Sequence, residues 1–143
     1  MIEMAIKEIL DANSYRNFLV GASELIFHNG IYQVFSGHNI KLSKGFPKHC
    51  AEKDALIKAC DHHFFGELVA VVVASDERQR DELSGKNPST LHPCPTCRAM
   101  FGDLKDHVTR GTIFYMTDLA QINTQEYSFE ELVEYHNDDR IKL

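Results

Sequence analysis

Three cysteines and one glutamate have the types and spacing to do chemistry in this chain. Cys50-Ala51-Glu52-Lys53 forms one cluster and Pro93-Cys94-Pro95-Thr96-Cys97-Arg98 the other. A Cys-x-x-Cys pair at the first turn of a helix puts both sulfurs on one side. Zinc requires such convergence, with thiolates at about 2.3 Å in a tetrahedral arrangement. Pro93 and Pro95 suit a helix start, where a missing amide donor costs nothing. The partial positive charge of a helix N-terminus favours the thiolate form. Cys50 also opens a helix, so two helix N-termini are expected to face one Zn2+ held by Cys50, Cys94 and Cys97.

Three protein ligands leave a fourth position to water, which separates a catalytic metal site from a closed structural one. Zinc lowers the pKa of its water from about 16 to about 7. Three thiolates leave the centre with a formal negative charge, and Lys53 and Arg98 are placed to donate to the sulfurs and offset it. Glu52, two residues after Cys50, can reach the water without being a ligand, as a general base and then an acid requires. The rival is a closed four-cysteine site that adds Cys60, which otherwise reads as a small apolar filler in mid-helix. His49 stands one place off the ligand position, and His62-His63 sits at a helix end, where cations suit the dipole. With His92 they are read as non-ligands.

The elements that must position these residues follow from periodicity. Met1–Leu10 has Ile2, Ile6, Ile9 and Leu10 at helical spacing. Phe18–Phe27 and Ile31–Ser36 read as strands joined by His28-Asn29-Gly30, a hairpin turn in which Asn and Gly tolerate positive φ. A loop with Gly45, Pro47 and three lysines leads to a helix over Cys50–His63, with Ala51, Ala55, Leu56 and Ala59 inward. Glu67–Ser75 is a Val-rich run suited to a central strand covered on both faces. Asp76–His92 is a long polar loop of a kind often tied to function. Pro93–Leu104 is a second core helix with Met100, Phe101 and Leu104 inward. Thr112–Met116 and Ala120–Tyr127 are further strands. Ser128-Phe129-Glu130-Glu131 is a capping-box start to a closing helix that ends near His136. The order implies a single α/β domain over 1–143, a three-layer α-β-α sandwich around a mixed sheet of about five strands.

The formal net charge of −6 argues against a nucleic-acid binder held by phosphate contacts. No apolar run approaches the roughly 20 residues of a membrane span, and Met1–Leu10 lacks the basic start of a signal peptide. Four cysteines without a secretory signal point to metal or reactive thiols in a cytoplasmic protein.

The two cysteine motifs resemble the cytidine deaminase superfamily, in which three cysteines or two and a histidine hold zinc and a non-ligand Glu moves protons. Within it they are similar to the small, three-cysteine, homotetrameric cytidine deaminases. Phe18-Leu19-Val20-Gly21-Ala22 resembles the family's Phe-x-Val-Gly-Ala strand, Gly37-His38-Asn39-Ile40-Lys41 its Gly-x-Asn-x-Glu, and Tyr127–Val133 its closing helix. The match covers most of the chain in the same order. The resemblance implies that activated water attacks the amino-bearing carbon of a cytosine-like ring, with Glu52 carrying protons and ammonia leaving. It also implies that Phe18 lies near the pyrimidine, that the backbone around Ala51 and Pro93 holds the ring's polar edge, and that Asn39 meets the ribose. A dimer or tetramer acting on a small aminated heterocycle, with no nucleic acid or membrane partner, is expected.

One departure bears on the substrate. Lys41 stands where the family has a Glu, and an ammonium cannot accept a hydrogen bond from a sugar hydroxyl. Lys41, Lys44 and Lys48 can meet a phosphate or carboxylate, or form a solvated basic loop. The blasticidin S deaminases also lack that Glu, so a modified nucleoside or another aminated heterocycle is the alternative substrate. A zinc-stabilised binding protein without turnover is a third reading, although a structural site has no use for Glu52.

Overall fold

The computed structural model describes residues 1–15, 18–47, 49–76 and 95–132. Helix α1 spans Ile2–Glu8 and tightens into a 3-10 turn over Ile9–Asp11. Strands β1 (Asn13–Ser14), β2 (Val20–His28), β3 (Ile31–His38) and β4 (Ile40–Lys41) follow. Then come helix α2 (Ala51–Asp61), strand β5 (Glu67–Ser75), helix α3 (Pro95–Asp103), strand β6 (Val108–Asp118) and strand β7 (Thr124–Ser128). Five strands form one mixed sheet in the order β3-β2-β5-β6-β7, in which only β5 and β6 run parallel. β1 and β4 make a separate two-stranded parallel pair.

The sheet is covered on both faces. Ala5 of α1 and Ile9 of the turn after it pack on Val72 and Ala74. On the other face Ala51, Leu56 and Ala59 of α2 and Phe101 of α3 pack on Ala22, Ile26, Phe35, Val71 and Val73. Strand alternation makes this division, since successive side chains of β5 point to opposite faces. The expected three-layer α/β sandwich with a five-stranded mixed sheet is what forms.

Two glycines let the helices approach closely. A Cβ on Gly21 would collide with the Ala5 carbonyl of α1. A Cβ on Gly37 would lie 2.5 Å from the Ala55 nitrogen and 2.6 Å from the Ala51 oxygen of α2. Ala22 and Gly37 are cross-strand partners, so the start of α2 rests on the β2–β3 ribbon.

The hairpin turn falls at Asn29 and Gly30, with φ of 51° and 78°, and His28 pairs with Ile31. The capping box also forms: Glu131 N donates to Ser128 Oγ at 3.2 Å, and Ser128 N to Glu131 Oε1 at 3.1 Å. Two strand limits differ from expectation. β6 begins at Val108 because Thr109 and Thr112 close an irregular stretch by side-chain hydrogen bonds, shifting the register between Leu68 and Ala70. β7 begins at Thr124 because the Asp118 carboxylate accepts from the Ile122 and Asn123 amides and builds a turn over residues expected to be strand. Most of the 76–92 loop and the end of the closing helix lie outside the described residues. Among those residues, no helix is long and apolar enough to cross a membrane.

Candidate active site

Cys50 is the N-cap of α2. Its backbone is extended (φ −73°, ψ 153°) and its carbonyl accepts the first helical bond, from Asp54 N at 2.9 Å. The approach to this cap is fixed by β4, where Ile40 N donates to His49 O at 3.0 Å. Cys97 lies in the first turn of α3 and is buried in the cluster on the α2 side of the sheet. Cys50 packs against the same cluster. The described part of the donor set is thus two soft ligands at two helix starts on one face of the sheet, which fits zinc. Cys94 and Pro93 lie outside the described residues.

Glu52 sits in the first turn of α2 and is only 4% exposed, facing the sheet beside the buried Ala51. Of the two cations expected near the sulfurs, Arg98 is fully buried next to Cys97, whereas Lys53 is on the solvent side of α2. Cys60 also faces solvent. It does not fill the core as expected, because the inward face of α2 is completed by Ala55, Leu56 and Ala59. His49 and His62 are engaged elsewhere, and His92 lies outside the described residues. His49 Nε2 lies 2.9 Å from Asp54 Oδ1, and His62 Nδ1 donates to the Lys58 carbonyl at 2.9 Å at the helix end.

The residues expected to meet substrate line the chain leading to Cys50. Asn39 ties two segments together: its carbonyl oxygen accepts from Val20 N at 2.9 Å and its amide donates to the Phe18 carbonyl at 2.8 Å. Phe18, half-buried, is thus held at the mouth of β2. The Lys41 ammonium donates to the carbonyls of Lys44 and Phe46 and closes the following turn.

Behind this stretch a polar network joins α1, β3 and α2. Glu8 accepts from Ser36 Oγ at 2.7 Å and lies 2.8 Å from His38 Nδ1. Asp54 accepts from His38 N at 3.1 Å and pairs with Lys58 at 3.3 Å. Burial raises the pKa of both carboxyls, but the bonds from these partners and the Lys58 charge outweigh it and hold each below its ordinary value.

One residue escaped the sequence reading. Glu24, in the middle of β2, is fully buried. Burial pushes its pKa well above the carboxylate range, and the neighbouring Glu52 adds to the shift. The signal was present as an acid in the inward alternation of Ala22, Glu24 and Ile26.

A family model described as the cytidine and deoxycytidylate deaminase zinc-binding region matches residues 1–110. Among solved structures, a cytidine deaminase from Burkholderia pseudomallei is similar at 23% identity and a TM-score of 0.69, over 92% of this chain and 91% of that one. A cytidine deaminase from Mycobacterium leprae is similar at 19% identity and a TM-score of 0.59, over 88% and 89%. A third, from Mycobacterium tuberculosis, is similar at 21% and 0.59, over 80% of each chain. At these identities the likeness is one of fold. No curated protein sequence matches the chain.

Proposed function

This chain belongs to the cytidine and deoxycytidylate deaminase family, and on that premise we propose that it is a zinc-dependent hydrolytic deaminase of a cytosine-like nucleoside. Cys50, Cys94 and Cys97 would hold the metal, which when bound supplies the Lewis acidity that makes water nucleophilic at neutral pH. Glu52 takes a proton from the attacking water and gives it to the ring nitrogen as oxygen adds to the amino-bearing carbon. It then moves the second water proton to the amino group, which leaves as ammonia while the carbonyl forms. Burial keeps Glu52 off bulk water and in one orientation, which such transfers require. The observation that carries this reading is the placement of Glu52: buried, on the sheet side of α2, two residues past the Cys50 cap and in the same layer as Cys97.

Arg98 is the cation better placed to offset the thiolates, with Lys53 contributing a longer-range charge. Phe18 and the Ala51 and Pro93 backbones hold the ring. Asn39 keeps one amide hydrogen for a sugar hydroxyl after its bonds to Val20 and Phe18. Lys41 spends two of its three donors on the 43–46 turn, which favours an altered sugar contact and supports a modified nucleoside as the second reading. Exposed Ile31, Tyr32, Ile57, Ile113 and Ile122 support a homo-oligomer, which sedimentation would test. A cytoplasmic setting accords with cysteines placed to hold a metal.

The test is ammonia release from cytidine, deoxycytidine, dCMP and modified cytosine nucleosides, with and without a chelator. Release that the chelator stops is expected. Glu52→Ala is expected to keep fold and zinc and to lose release; release unchanged in that variant would remove Glu52 from its role.

A further inference from the structure

Glu24 has no task in the chemistry above, and its position is expensive for the fold. Its cross-strand partners are Phe35 on β3 and Val71 on β5, both members of the apolar cluster under α2. Neither carboxyl oxygen has a hydrogen-bond partner among the described residues, and the side chain is fully buried. A buried polar group left without a partner destabilises a protein, and an apolar residue of similar volume would not. The group whose charge reaches it is Glu52, on the buried face of the helix that covers this part of the sheet. Burial disfavours the ionised form, so Glu24 holds its proton more tightly than an ordinary carboxyl, and the protonated group has an O–H to donate. Glu52 offers an acceptor directed at the same layer.

We propose that Glu24 is a positioning residue for Glu52: a second carboxyl on the sheet side that orients the Glu52 carboxylate by donating a hydrogen bond to it, through one buried water or a rotamer change. This rests on the role given to Glu52 above. The unpartnered donor under α2 then gains its partner from the neighbouring acid, and the fold keeps a costly residue where the chemistry needs a fixed orientation.

The test compares Glu24→Gln, whose amide still donates, with Glu24→Leu, which fills the space and donates nothing; Glu24→Met replaces the latter if leucine does not fold. With cytidine as probe, Glu24→Gln should keep kcat within about threefold, whereas the apolar variant should lose about tenfold or more with KM and zinc content unchanged. A purely structural role would leave the apolar variant at least as active as Glu24→Gln, and that result, or loss of zinc in the apolar variant, would overturn the proposal. A second readout needs no turnover. In zinc-free protein with 13C-labelled glutamate carboxyls, Glu52→Gln should move the Glu24 signal and Glu24→Gln should move that of Glu52. Silence in both directions would overturn the proposal whatever the activity. If wild type releases no ammonia from cytidine but this coupling is present, it is the substrate assignment that fails.

Discussion

A carboxyl buried among apolar side chains and a carboxyl held by donors respond to acid in opposite ways, and this protein has both. Glu24, raised by burial and Glu52, binds its proton more tightly folded than unfolded. Its contribution is therefore complete below the ordinary value of 4.5 and is lost as pH rises toward the folded value. In urea unfolding, Glu24→Gln should gain on wild type by about 1.4 kcal/mol per pH unit above pH 4.5, until the folded value is reached. Glu8 and Asp54 carry the other sign. Burial raises both, but the bonds from His38, Ser36 and His49 and the Lys58 charge prevail and lower them. Their support is full above about 4.5 and 3.8 and disappears as pH falls through the lower folded values. Glu8→Gln should cost about 1–2 kcal/mol at pH 7 and flatten the acid limb of the stability profile. At this scale the residues of the proposed site, Glu52 and the cysteines, stood out in the sequence, because a metal site needs fixed residue types at fixed spacing. The sequence hid the links of His38 to Glu8 and His49 to Asp54, since these depend on which elements meet.

Among elements, those with a local cause were readable. Cys50 caps α2 and the alanines face inward because both follow from helical spacing. The hairpin sits at Asn29-Gly30 because the turn needs two positive φ angles. Gly30→Val should cost about 1–2 kcal/mol by forcing a branched residue into the left-handed region, measured by thermal unfolding. Ser128→Ala should cost about 1 kcal/mol through loss of the bond from Glu131 N. The limits of β6 and β7 were not readable. Thr109, Thr112 and Asp118 redirect the backbone by side-chain hydrogen bonds, which a count of apolar residues does not register. Cys60 was misread for a related reason: composition alone does not say which side of a helix is already filled.

For the whole molecule, the layer order followed from alternating patterns, whereas the placement of β5 between β2 and β6 came from long-range pairing. A metal shared between the starts of α2 and α3 would join segments distant in sequence, so chelation should lower the unfolding temperature, and zinc should restore it. Glu52→Ala should leave that shift intact while ending turnover. The contact of α2 with Gly37 reaches further than its size suggests. A lone methyl group there would act as a wedge under the first turn of the helix, tilting Cys50 and Glu52 together while every reacting group kept its identity. On the roles proposed for Cys50 and Glu52, catalytic rate can thus be throttled from a site that meets neither metal nor substrate.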